Sequence, residues 1–396
     1  MNEKNLPAGW SIKRLKDVCE INSESISDAK HQDYDFFYQD LSTVNSGRLT
    51  KQKLRINYSD SPSRARRLAK QGDVVMSTVR PYLKGFAFID FDPEEYVFST
   101  GFAILRARLP QDQGYVFQNL FSGYFDYQYH SFLVGSNYPA LNSSDVEALR
   151  IPYPDDQSER QKIAEILGAC DEAIEAQERL IAQKQQRKKG LMQQLLTGQT
   201  RFPQFAGTPW REVRLGDIFK ERKEAKRDDL ELLAVTGNGG VVKRDGLNRK
   251  DTSSEDKSKY KRVCPGDIAY NTMRMWQGVS GLSKFEGIVS PAYTIVTPSN
   301  VMDPTFSAYF FKLPETVSLF RRYSQGLVND TLNLKYPNFK VIKVTIPERD
   351  EQEAIGQALA ACDDEITLQQ NKLEQLKQQK KGLMQQLLTG KVRVKV

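Results

Sequence analysis

Along two stretches of the chain, apolar or small residues recur at alternating steps of four and three. One runs Ile163, Leu167, Cys170, Ile174, Gln177 and Ile181; the other runs Ile355, Leu359, Cys362, Ile366, Gln369, Leu373 and Leu376. This spacing is the heptad seam of a helix that lies along another helix. Each seam carries one glutamine, a polar residue that weakens the packing and helps to set register. Ser158 with Gln161, and Asp350 with Glu353, have capping-box spacing just after Pro154 and Pro347. Gly198 and Gly390 sit where a helix ends on a left-handed residue. The pattern therefore predicts long helices over 156–198 and 348–390, each about 60 Å long for ~40 residues. Two surface helices, each packed on its own domain, are the plainer alternative.

Between these helices the pattern changes. GDVVMSTV (72–79), FAFIDF (86–91), YVFSTGFAILRARL (96–109), GDIAYNTM (266–273) and GIVSPAYTIV (287–296) have the β-branched and aromatic composition of strands. YVFQNLFSGYFDYQYHSF (115–132) and FSAYFFK (306–312) read as amphipathic core helices rather than as base-stacking platforms. Mixed α+β bodies are expected at 1–155 and 207–347. A connector spans 199–206 (QTRFPQFA), and a tail covers 391–396.

The two halves are copies. KKGLMQQLLTG at 188–198 recurs without change at 380–390, an offset of 192. The same offset aligns Cys170-Asp171 with Cys362-Asp363, Ile163 with Ile355 and Glu159 with Glu351. Upstream the register drifts, but Gly72-Asp73 faces Gly266-Asp267, Leu141-Asn142 faces Leu332-Asn333, and Ile151-Pro152 faces Ile346-Pro347. GWSIKRLKDV (9–18) resembles TPWREVRLGDI (208–218) near each start. Two copies make a tandem duplication; a solenoid needs at least three stacked repeats.

Domain termini tend to lie close together, so the second helix should begin near the end of the first and run antiparallel to it. That arrangement puts the two bodies at opposite ends of a shared rod with approximate twofold symmetry. Leu191, Met192, Leu195 and Leu196, with their twins Leu383, Met384, Leu387 and Leu388, give a wider apolar face than one seam requires. The surplus is expected to dock helices of a partner.

Composition narrows the picture. With 57 Lys plus Arg against 50 Asp plus Glu in 396 residues, the net charge is +7, which suits a polyanionic partner without proving one. The four cysteines, Cys19, Cys170, Cys264 and Cys362, are scattered and there are two histidines, His31 and His130, so neither a disulfide framework nor a metal site is expected. Cys170 and Cys362 read as small seam fillers. No apolar run approaches a membrane span and the N-terminus lacks a signal-peptide core, so a cytoplasmic location is expected.

Matched polar loops follow the first GD strand of each body. Ser77, Thr78, Arg80 and Lys84 stand against Asn271, Thr272, Arg274 and Gln277. Arginine binds guanine through two hydrogen bonds, and asparagine or glutamine binds adenine, so these are candidate readers of DNA; an ordinary polar loop is the rival reading. Asn137, Tyr138 and Asn329, in GSNYPALN (135–142) and GLVNDTLN (326–333), are weaker candidates because the same residues make turns. Arg64, Arg66 and Arg67, and Lys257, Lys259 and Lys261, are candidate phosphate contacts or else a solvated charged face.

Catalytic motifs are missing. There is no Asn/Asp-Pro-Pro-aromatic stretch of an adenine methyltransferase and no GxxxxGK[ST] phosphate loop. Pro154-Asp155 with Glu159 and Lys162 echoes a nuclease, but acidic residues at a helix start are explained by the dipole and the cap. No catalytic residue is assigned. Two readings remain, a DNA-recognition and assembly subunit or a two-headed coiled-coil scaffold joining proteins; basic segments before a polar loop in both heads favour the first.

The paired Ile-Pro helix starts (Ile151-Pro152 to Gln161, Ile346-Pro347 to Gln352), GDVVMSTVRPYLKGFAF, GDIAYNTMRMWQGVSGL, GIVSPAYTIV and the twin KKGLMQQLLTG ends together resemble the specificity subunits of Type I restriction–modification systems. The resemblance covers essentially the whole chain; the first helix start, DDQSERQ, departs from a clean acidic-Gln pair. It implies two target-recognition domains, each followed by a conserved spacer helix. They would read the two halves of a split double-stranded DNA sequence about one helical turn apart. It also implies docking of two methyltransferase subunits, with translocase-nuclease subunits beyond them. S-adenosylmethionine, ATP and Mg2+ would then be bound by those partners and not by this chain.

Overall fold

The computed structural model describes residues 6–395 except 27–33, 46, 53, 133–138, 238 and 245–255. The chain divides into two compact units: residues 1–178 with 372–396, and residues 179–371. Two helices dominate: α1, Gln157–Leu196, 40 residues, and α2, Arg349–Leu387, 39 residues. The start of α1 and the end of α2 belong to the first unit; the start of α2 and the end of α1 belong to the second.

Helix ends follow local chemistry. Asp156, not Ser158, caps α1, its carboxylate accepting from the Ser158 amide at 2.8 Å. At the start of α2, Gln352 is buried and donates to the Pro347 carbonyl at 2.9 Å. Both helices stop on the glycines read from the sequence, Gly198 at φ 73° and Gly390 at φ 69°. The amides of Thr200 and Val392 then reach back to the Gln194 and Gln386 carbonyls at 3.1 and 3.2 Å, the long bond that closes a helix on a left-handed residue.

Within each unit the helix segments run antiparallel. In the first, Glu159, Asp171 and Glu178 of α1 meet Arg393, Lys380 and Lys377 in that order. In the second, Lys184 and Lys188 near the end of α1 meet Glu365 and Asp363, and Arg201 beyond it meets Glu351. Asp171 and Asp363 thus do the same work, each holding the lysine of the facing segment at 2.5 Å. Gln118 and Tyr309 from the bodies add hydrogen bonds to the same two carboxylates. The predicted seam is inward: Ile163, Leu167, Gln177, Ile181, Ile355, Leu359 and Ile366 are buried, while Cys170, Ile174, Cys362 and Leu373 are half-buried.

Both units repeat one plan. Strand Trp10–Arg14 pairs antiparallel with Arg150–Pro154, as Arg211–Arg214 does with Lys343–Ile346. A four-stranded antiparallel sheet follows in each. Its order is Cys19–Ile21, Phe102–Ala107, β1 (Val74–Ser77), β2 (Phe86–Phe88) in the first unit. In the second it is Phe219–Arg222, Tyr293–Pro298, β3 (Ile268–Asn271), β4 (Ser280–Leu282). The units differ around this sheet: the first adds a four-stranded sheet that includes a parallel pair, Asp35–Gln39 with Tyr96–Ser99; the second adds two-stranded ribbons. The aromatic stretches form helices Gln113–Leu120, Gly123–Phe132 and Pro304–Phe310, burying Tyr115, Phe125, Tyr129, Phe306 and Phe310.

One expectation is corrected. Leu387 and Leu388 are buried in the core of the first unit, with Leu383 and Met384 packed against it. Leu195 and Leu196 are buried in the core of the second, with Leu191 and Met192 against it. The apolar width read as a docking face for partners is used inside the chain, because a helix end needs a wider stripe where a globular body covers it than along a two-helix seam.

Each of these leucines should therefore be felt in one unit. Leu388→Ala is expected to cost about 2–5 kcal/mol and to raise amide exchange in the first unit, including Val74–Ser77; Leu196→Ala should do so in the second. Hydrogen-exchange mass spectrometry of both variants checks this, and exchange confined to the helix ends would refute it.

Candidate nucleic-acid interface

In each unit, β1 and β2, or β3 and β4, form a ribbon whose connection contains a single tight turn, Pro81–Leu83 or Met275–Gln277. The turns superimpose in hydrogen bonding: Leu83 to Arg80 and Lys84 to Pro81, both 2.9 Å, against Gln277 to Arg274 at 3.0 Å and Gly278 to Met275 at 2.8 Å. Both close on a left-handed residue, Lys84 at φ 53° and Gly278 at φ 76°. Glycine takes this conformation freely, whereas a lysine there is strained by about 1–2 kcal/mol. The Lys84 ammonium is tied to Asp126 at 2.9 Å, which holds the turn.

Behind each ribbon lies the GD aspartate. Asp73 is buried and receives two hydrogen bonds from Arg106; Asp267 is buried and receives two from Arg222. These pairs push both arginines above their usual pKa. The matched Gly-Asp letters are thus anchors of the ribbon.

The third matched region comes to the ribbon in both units. The Arg80 amide donates to the Pro139 carbonyl at 2.9 Å, and the Leu141 amide to Thr78 at 2.8 Å; the Leu334 amide donates to Thr272 at 2.8 Å. The Thr100 amide binds the Arg64 carbonyl at 2.7 Å while the Thr78 amide binds Gly101 at 2.9 Å, so the basic segment of the first unit is joined to the ribbon through one turn.

Several candidate readers have partners within the chain. Ser77 and Thr78 are buried, their hydroxyls donating to the Val79 and Gly101 carbonyls. Asn271 accepts from the Met273 amide, and the Thr272 hydroxyl meets that of Thr294 at 3.0 Å. Lys84 is committed to Asp126. Lys261 is half-buried and donates to the Tyr293 carbonyl at 2.6 Å, and burial lowers its pKa. Short polar side chains next to a tight turn bond the local backbone, which sequence composition cannot separate from base reading. Arg80, Arg274 and Gln277 remain exposed at the tips. Asn329 is exposed and accepts from Arg321 at 3.3 Å. Asn137 and Tyr138 lie outside the described residues. Arg64 and Lys259 are exposed; Arg66, Arg67 and Lys257 are half-buried, with Arg66 over the Tyr58 ring.

A second pair of matched sites was missed. Glu159, 1% exposed, accepts from the Trp10 indole at 3.3 Å and from both Nε and Nη2 of Arg393 at 2.6 and 2.8 Å. Glu351, also 1% exposed, accepts from Trp210 at 3.2 Å and from Arg201 at 2.8 and 2.6 Å. Arg201 and Arg393 obey the 192-residue offset, the signal that would have found them in the connector and the tail. The same contacts occupy the nuclease-like Glu159, and Lys162 pairs with Glu165. No group of three or more His, Cys, Asp or Glu able to hold a metal occurs among the described residues, and no described helix is long and apolar enough to cross a membrane.

The exposed cations are expected to be of two kinds, phosphate contacts and base readers, and the two roles have different signatures. Alanine at Arg64 or Lys259 should weaken DNA binding alike for all sequences and reduce the slope of log affinity against log salt by about 1. Alanine at Arg80 or Arg274 should instead cost about 1–3 kcal/mol at one base position. Titrations of the assembled complex at several salt concentrations distinguish them; a pure salt effect at Arg80 would remove it from the readers.

Comparison with known proteins agrees with the duplicated plan. Residues 7–183 and 208–378 each match the family described as Type I restriction modification DNA specificity domain. A Methanocaldococcus jannaschii protein provisionally named the type I restriction enzyme MjaX specificity subunit is 20% identical over 98% of this chain and 95% of its own. The type I restriction enzyme HindI specificity subunit of Haemophilus influenzae is 27% identical over 41% of this chain and 37% of its own. Among solved structures, a chain from work on complex assembly and conformational transition of the type I R-M system aligns over 98% of this chain and 99% of its own, at 23% identity and a TM-score of 0.62. The type I S subunit of M. genitalium aligns over 98% and 97%, at 14% identity and a TM-score of 0.58.

Proposed function

The chain belongs to the Type I restriction–modification DNA specificity family, and from that membership we propose how it recognises its target. It is the sequence-reading subunit and is not itself a catalyst. Each unit reads one half of a bipartite DNA sequence, using the ribbon tip for bases and the adjoining cations for phosphates. The observation that carries this reading is the same strand–turn–strand ribbon in both units, ending in an exposed arginine at matched positions, Arg80 and Arg274. The bodies around the ribbons differ in sequence and in their added strands, so the two half-sites differ and the target is asymmetric.

The partners follow from the same membership. The long helices offer the outer faces left by their seam to methyltransferase subunits, two of them in keeping with the duplication, and restriction subunits join through those. S-adenosylmethionine serves the methyltransferases, and ATP and Mg2+ the translocase-nuclease. A protein-joining scaffold has no use for an arginine-tipped ribbon in both units and is not favoured.

The experiment exchanges residues 207–347 for the corresponding segment of another family member, in cells that also carry the methyltransferase subunit, and sequences the methylome. One half of the methylated motif should change while the other stays. A motif unchanged in both halves, or changed in both, would overturn the assignment of one half-site to each unit.

A further inference from the structure

Beyond the arginines, the two ribbon tips share an apolar feature that hydrogen-bonding readers do not explain. Each tip reads Arg, a buried apolar residue, then an aromatic: Arg80, Pro81, Tyr82 and Arg274, Met275, Trp276. Tyr82 is 41% exposed and its neighbour Leu83 62%. In the second unit Met273 is 54% exposed beside Trp276. The Trp276 indole donates to the Met273 carbonyl at 3.0 Å, and the Arg321 guanidinium lies 5.6 Å from its ring centre. A large apolar side chain on a projecting turn gains nothing from water, and a patch of this kind marks a contact surface.

The occupant is set by what surrounds the patch. Arg80 stands two residues before Tyr82 in the first unit, and in the second Arg274 adjoins Met273 while Arg321 lies over the Trp276 ring, so each apolar patch has a cationic neighbour, which suits a polyanionic ligand. The turn projects from the last two strands of the four-stranded sheet, leaving its tip as the part able to enter the major groove of duplex DNA, where the thymine methyl is the apolar group on the base edges. We propose that the tip residues Leu83 and Tyr82 in one unit, and Met273 and Trp276 in the other, pack against thymine methyl groups beside the base that Arg80 or Arg274 binds. The tip then distinguishes A·T from G·C by shape while its arginine hydrogen-bonds. This inference rests on the DNA-reading role proposed above.

The test uses the full chain assembled with its methyltransferase subunits and synthetic duplexes carrying the methylated motif, with each thymine replaced in turn by deoxyuridine. That replacement removes one methyl and keeps base pairing. The wild-type complex should lose about fourfold in affinity, the worth of one buried methyl, at one or more thymines in each half-site. Leu83→Ala should abolish the loss in one half only, and Met273→Ala in the other only. Both side chains are exposed, so folding is not at stake. Affinity indifferent to uracil everywhere, or uracil sensitivity retained in both variants, would overturn the proposal. If the methylated motif does not depend on the chain at all, it is the DNA-reading role that fails instead.

Discussion

A carboxylate sealed from water is costly unless it is fully paired, and removing one partner leaves the charge stranded. Glu159 and Glu351 are such carboxylates, and in each case the forked guanidinium comes from just beyond the end of the opposite long helix. The constraint is directional. Arg393 can reach Glu159, and Arg201 can reach Glu351, only where the two helix segments in a unit run antiparallel and end at a set register. The tryptophan near each body's start closes the third side. One small cluster therefore ties together the first strand, the start of one helix and the end of the other, and the sheet with its ribbon is built on that corner.

Why the helices carry identical ends follows from this. KKGLMQQLLTG appears twice because it meets the same environment twice: Lys188 and Lys380 hold an aspartate. The terminal leucines fill a core, and the glycine adopts a left-handed conformation against a tryptophan ring, 3.3 Å from where a side chain would begin in both units. The bodies diverge away from this corner, in the strands added around the common sheet. The ribbon tips differ in sequence as well, while the hydrogen bonds of the turn are kept.

The ribbons show how a common framework carries different chemistry. In one the left-handed position is glycine; in the other it is a lysine held by Asp126. The hydrogen bonds of the turn are kept with Leu83 in one unit and Gln277 in the other, while the arginine that opens it is left-handed in the first, Arg80 at φ 49°, and not in the second, Arg274 at φ −130°.

The long helices, their stops, the seam and the duplication were legible in the sequence because periodicity and identical letters report local structure directly. Arg80 and Arg274 were legible too, as arginines at matched positions after a strand. Tertiary structure alone decided which polar residues are spent inside. Ser77, Thr78, Asn271, Thr272 and Lys84 look like readers as letters, and Lys261 like a phosphate contact, but each has a partner in a backbone group or a side chain near in space. It also decided that Leu195, Leu196, Leu387 and Leu388 complete the chain's own cores, and that Arg201 and Arg393 serve buried carboxylates about 150 or more positions away. Burial and long-range pairing depend on where distant segments meet, and a one-dimensional pattern carries that only where the two segments happen to be copies.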